Sequence, residues 1–168
     1  MQRFSRAIDT LNEWVGRIVS PIIIVMLLIG TYEVVARYVF HSPTIWAWEI
    51  NEHLLCLFLS MAGGYTLLLG RHVSVDIFYS RLSVRARAIM DLVTWPIFFL
   101  VCILVIWEGT AAAMVATAKR EYVISSLRSP AYPDRWMIPI GATLLLLQGV
   151  VKYLKDIATV TGKRETAS

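Results

Sequence analysis

Residues Trp46–Asp76 read WAWEINEHLLCLFLSMAGGYTLLLGRHVSVD. Trp46 and Trp48 open the stretch beside two acids, Glu49 and Glu52. An uncharged run follows from Leu54 to Gly70, and Arg71, His72 and Asp76 close it. That run is near the lower end of the ~17–25 residues that cross a bilayer, and Trp46–Ile50 extends the same helix outward. The tryptophans suit one water–lipid boundary, and the basic exit suits the cytoplasmic one. Gly63 and Gly64 lie inside the helix, each costing about 1 kcal/mol of helix propensity against alanine. In a membrane helix that cost is commonly offset by close approach of a neighbouring backbone. With Ser60 the two glycines form a face of small side chains, so the stretch reads as a packing element.

Composition extends this reading to the whole chain. The 168 residues are 57% hydrophobic and 17% charged, with a mean hydropathy of +0.62, too apolar for an ordinary soluble domain. The net charge of +4 fits charges bordering membrane spans, and no basic block marks a nucleic-acid surface. Cys56 and Cys102 lie in apolar runs without metal-ligand or redox spacing, which reads as two buried structural thiols.

Toward the N-terminus, Phe4, Ala7, Ile8 and Leu11 recur at helical spacing opposite Arg3, Arg6, Asp9 and Glu13. This predicts an amphipathic helix lying on the cytoplasmic interface. A first span follows over about residues 15–40. It carries Glu33 and Arg37, four apart with the acid first, the favourable order for a helical pair. They read either as an internal pair near the outer interface or as a contact to another subunit. The second span covers about 46–70. The third covers about 88–118, with Pro96 able to kink it. Glu108, where its apolar core ends, reads as an interfacial acid or as a proton or ion site. The segment Lys119–Trp136 mixes Arg128 and Arg135 with Asp134 on a proline-stiffened loop. The fourth span covers about 136–157, with Pro139 in its first turn and Gln148 able to hydrogen-bond across helices.

The expected fold is therefore all-α and integral to the membrane. Four transmembrane helices and the interfacial helix make one domain over 1–158, and 159–168 forms a disordered cytoplasmic tail. The larger basic set borders the N-terminus, the 71–87 connection and the C-terminus, which places both termini in the cytoplasm. No paired histidines at matching depth, nucleophile–base constellation, phosphate loop or metal-ligand pattern is legible. An enzyme is disfavoured, and no catalytic, cofactor or metal residue is assigned.

Three motifs in order carry a family resemblance: RYVFHSPTIWAWE (Arg37–Glu49), GGYTLLLGRHVSVD (Gly63–Asp76) and SSLRSPAYPDRWMIPIGATLLLLQG (Ser125–Gly149). Over about Asp9–Ile157 the chain resembles the small membrane subunit of tripartite ATP-independent periplasmic (TRAP) transporters. The resemblance implies a four-helix protein of the bacterial inner membrane, paired with a large multi-span subunit that carries the substrate and sodium sites. A separate periplasmic protein delivers the substrate, usually an organic acid anion. Family members often carry a second acid directly beside the position of Glu49; here Ile50 stands there and Glu52 follows. The SPAYPDRW variant resembles the branch grouped with mannitol, chloroaromatic and keto-acid systems. The implied role is a non-catalytic scaffold in ion-coupled uptake. Candidate partner contacts are Glu33, Arg37, Trp46, Glu49, Glu52, Ser60, Gly63, Gly64, Arg128, Asp134 and Arg135. The alternative is a self-sufficient proton-coupled exporter acting as a homodimer, with Glu33 or Glu108 titrating.

Overall fold

The computed structural model describes residues 2–69, 84–123 and 127–160. The expectations for most of the 70–87 connection and for the end of the C-terminal tail lie outside those residues. Five helices follow one another: α1 (Gln2–Val19), α2 (Ile22–Tyr38), α3 (Trp46–Leu68), α4 (Val84–Lys119) and α5 (Tyr132–Val160). A single bridge between Tyr122 and Pro130 is the only extended pairing among the described residues.

The first break falls inside the stretch read as the beginning of a span. Val15–Val19 belong to α1, and a new helix starts at Ile22. Pro21 explains the stop, because it lacks the N–H that would continue the ladder. Ser20 closes the α1 end through its N–H and hydroxyl, both donated to the Gly16 carbonyl at 2.9 and 2.6 Å. The α2 ladder then starts from the Pro21 carbonyl, which accepts from Ile24 at 3.0 Å.

Three stretches are long and apolar enough to cross a membrane: Arg3–Tyr38, Thr94–Lys119 and Tyr132–Ile157. α3 has 23 residues, about 35 Å at 1.5 Å per residue. Its Glu49, Asn51, Glu52 and His53 lower its apolarity, and it is not among the three. α5 begins at Tyr132, so Pro139 sits in its second turn rather than its first.

The helices form a row in the order α2–α3–α5–α4, with α1 laid against α3 and α5. Among the described residues α2 has no extensive contact with α4 or α5, and α4 has none with α3. The α4–α5 seam holds Trp95, Phe98, Phe99 and Tyr153, with ring centroids 5.0–6.1 Å apart. Further along, fully buried Ala113 and Ala116 continue it, and Gly109 meets Pro139. The α3–α5 seam is closer still, because Gly141 lies directly on the Ser60 backbone.

α1 is laid against the row along one stripe of its surface. Its packed stripe is Ile8, Asn12, Gly16 and Val19, all buried, whereas Phe4 and Leu11 are exposed. Tyr65 of α3 fills the hollow over Gly16, and Asn12 fills the hollow over Gly64. The helix docks because both partners supply a missing side chain for the other to occupy.

A one-layer row leaves broad apolar faces. On α2, Ile23, Ile24, Leu27 and Leu28 are exposed, and on α4 so are Ile97, Leu100, Ile103 and Leu104.

Candidate functional site

The polar side chains gather mainly at the end of the row where α3 begins. The segment between α4 and α5 is folded back on itself there. Glu121 donates its N–H to the Ala116 carbonyl, Val123 to that of Ser129, and Ala131 to that of Glu121, each at 2.9 Å. Arg120 and Arg128 take left-handed backbone angles, with φ of 48° and 49°, which side-chain-bearing residues adopt mainly where neighbouring contacts enforce a turn. A salt bridge from Arg135 to Glu121 at 3.1 Å clamps the base of the loop.

Three residues of α3 at i, i+4 and i+7 reach this segment. The Glu49 carboxylate is 4% exposed and accepts from the Ser129 backbone N–H at 3.1 Å and from its hydroxyl. One turn on, His53 Nδ1 lies 2.5 Å from Asp134 Oδ2, and Nε2 lies 2.8 Å from Ser129 Oγ. Another turn on, the Cys56 thiol donates to the Asp134 carbonyl at 3.6 Å. A buried carboxylate needs such donors to hold its charge away from water. The fold thus brings together a serine, a histidine and an aspartate where the sequence reading found no nucleophile–base constellation. His53 is separated from Ser129 by 76 positions and from Asp134 by 81, so no local pattern exposes the grouping. Ser129 has one hydroxyl proton and gives it to Glu49. His53 is therefore not placed to take that proton, and the arrangement fastens the serine rather than activating it.

Beside this junction, Glu33 ties the α2–α3 turn. Arg37 donates to Glu33 Oε1 from Nε at 3.0 Å and from Nη2 at 2.6 Å. Thr44 donates to Oε2 from its backbone N–H at 3.0 Å and from its hydroxyl. Trp46 stacks on Tyr32, with centroids 5.8 Å apart. The two acids near Trp48 differ: Glu49 is buried in the junction, while Glu52 is exposed and accepts from Trp48 Nε1 at 2.9 Å.

A second cluster at the other end holds α1. Asn12 Nδ2 donates to Gln148 Oε1 at 2.9 Å, Gln148 Nε2 to Asp9 Oδ1 at 2.8 Å, and Lys155 Nζ to Asp9 Oδ2 at 2.9 Å. Asn12 and Asp9 had no assigned role in the sequence; their signal is a polar pair, one helical turn apart, beside an apolar face.

The candidate contacts thus divide by place. Glu33, Arg37 and Trp46 frame the α2–α3 turn, and Glu49, Asp134, Arg135 and the exposed Arg128 belong to the loop junction. Ser60 and Gly64 lie in helix seams. Gly63 is only in ordinary contact with Leu145, at 3.9 Å, and the glycine that closes the α3–α5 seam is Gly141. Glu108 lies within α4, which continues to Lys119. Among the described residues no group of three His, Cys, Asp or Glu side chains is placed to hold a metal.

Helices able to cross a membrane, apolar outer faces and polar junctions gathered near the helix ends define an integral membrane protein of the all-α class. Residues 26–159 match the family described as "Tripartite ATP-independent periplasmic transporters, DctQ component". The match covers well over half of the chain, and the protein belongs to this family: it is a component of a TRAP transporter. No curated protein matches it.

Proposed function

We propose that the protein is the non-catalytic small permease subunit of its transporter, a scaffold for the large multi-span transport subunit. It helps dock the periplasmic substrate-binding protein during ion-coupled uptake of an organic acid. The family match over 26–159 carries this reading. The open row supports it, since faces this apolar need lipid or a partner helix to cover them. In this reading α3 is a fourth span, with Trp46 and Trp48 at the outer boundary of a bacterial inner membrane. Both termini then lie in the cytoplasm beside the larger basic set.

The α3–loop junction faces the periplasm in this orientation, and Arg128 stands on its exposed loop. Charged rim residues tune encounter more than intrinsic affinity. Arg135 is engaged with Glu121, so Arg128 is the cleaner position to reverse.

Co-expression with the large membrane subunit of the same transporter, followed by affinity purification, tests the scaffold role; failure to recover that subunit would refute it. Uptake in proteoliposomes, measured against binding-protein concentration and ionic strength, tests docking. Arg128→Glu should slow uptake and alter its salt dependence while leaving assembly intact. Unchanged dependence at every salt level would leave the loop as a connector. Transport by the purified chain alone would favour the self-sufficient exporter.

A further inference from the structure

Every carboxylate side chain described in this structure has a donor within the chain, with one exception. Glu33 is held by Arg37, Glu49 by Ser129, Asp134 by His53, Asp9 by Lys155 and Asp156 by Trp95. The surface acids Glu13, Glu52 and Glu121 are likewise engaged. Glu108 makes no hydrogen bond or ion pair with any described residue, and its side chain points out of the row.

Its depth makes this unusual. Glu108 stands 11 residues before the end of α4 at Lys119 and 24 after its start at Val84. Those spacings are about 16 Å and 36 Å along the axis at 1.5 Å per residue. Both exceed the reach of a glutamate side chain toward either end of its helix. An ionised carboxylate facing lipid at that level is among the costliest placements in a membrane helix, and such residues generally face a protein interior or a partner.

The surroundings suit a helix rather than lipid. Ile97, Val101, Leu104, Glu108 and Val115 follow helical spacing along one exposed flank of α4, and Gly109, Cys102, Ala113 and Ala116 lie on the side turned to α5. Ala111 and Ala112, the next residues up the helix beside Glu108, are short enough to let a second backbone approach the carboxylate. A second copy of this chain is a poor occupant. Two-fold packing of the stripe on itself sets Glu108 near Glu108, and the described arginines and lysines lie toward the helix ends.

We propose that this flank of α4 docks a transmembrane helix of the large transport subunit, which presents an arginine or lysine to Glu108. The proposal rests on the scaffold reading above and names the face and the chemistry of that contact. Glu108 is then the interfacial acid whose desolvation fixes the register of the two subunits.

The test uses the co-expressed transporter. Glu108→Lys should lower recovery of the large subunit at least about tenfold, because it sets two cations together. Glu108→Gln, which keeps an acceptor, should lose less. Each variant purified without the large subunit should melt with the parent, since Glu108 has no partner to lose among the described residues. Cysteine introduced at Val101→Cys or Ala112→Cys should cross-link to the large subunit with a short bismaleimide, beyond the background from Cys56 and Cys102. Parental recovery with Glu108→Lys, together with no added cross-link, would overturn the proposal while leaving the scaffold reading intact. Cross-links only between two small subunits would also overturn it. So would full assembly of Glu108→Gln with loss of uptake, which marks a proton site instead. Should the unmodified chain fail to recover the large subunit, the scaffold reading falls first and takes this contact with it.

Discussion

Replacing Gly141 with alanine probes the α3–α5 seam at its tightest point. A Cβ built there would stand 2.5 Å from the Ser60 carbonyl carbon, closer to its oxygen, and 3.0 Å from its Cα. All three atoms are backbone, so no rotamer change at Ser60 relieves the overlap. The helices must separate by about 1 Å to restore ordinary contact, and overpacking of this kind costs roughly 1–3 kcal/mol, occasionally more. Separation would also strain the Gln148–Asn12 bond and the close approach of Gly64 to the Leu144 carbonyl, which places the cost near the upper end. Alanine returns about 1 kcal/mol of helix propensity. The net loss is about 2 kcal/mol, roughly a thirtyfold fall in the folded-to-unfolded ratio. Gly63→Ala supplies the control, since the nearest atoms to its Cβ are 3.9 Å away. That variant should match the parent or gain up to about 1 kcal/mol. Denaturant titration in micelles, read by tryptophan fluorescence, measures both. A Gly141→Ala protein as stable as the parent, or a loss confined to Gly63→Ala, would refute the assignment of the seam.

Glu49→Ala removes the acceptor for both Ser129 donors. It should cost about 2–3 kcal/mol, in the range of hydrogen bonds to charged groups, and should speed tryptic cleavage after Arg128; Glu52→Ala should leave the cleavage rate unchanged. Gln148→Leu takes the acceptor from Asn12 and the donor from Asp9. A loss of about 0.6–2 kcal/mol is expected from cross-helix bonds in membranes, seen as faster amide exchange in α1 than in α4. At the α2–α3 turn, Glu33→Ala should shift the denaturation midpoint further than Arg37→Ala. The carboxylate also holds Thr44, and removing Arg37 leaves that grip in place. Equal shifts would show that Thr44 contributes nothing.

The sequence by itself determined what depends on neighbours along the chain. Hydropathy over 18 residues or more is a local property, so apolar helices follow from composition alone. The Glu33–Arg37 pair is equally local, because residues four apart meet on any helix. The motifs running from Arg37 to Gly149 pointed to the TRAP small subunit for the same reason: they are short segments in a fixed order. Tertiary structure decided the rest. Glu49, His53, Ser129 and Asp134 become one junction only when α3 and α5 are packed side by side, since the bonds that join α3 to the loop and α5 span 76 to 81 positions. Gly63 and Gly64 look alike in the sequence, yet the rotation of α3 puts Gly64 under Asn12 and leaves Gly63 in loose contact. Gly141 closes the seam because of what stands opposite it, which its own neighbours do not encode. An amphipathic helix such as α1 suits a lipid surface or a protein groove equally well by its pattern. Only the packed structure shows which of its residues meet protein: Tyr65 fills the hollow over Gly16, and Asn12 fills the one over Gly64.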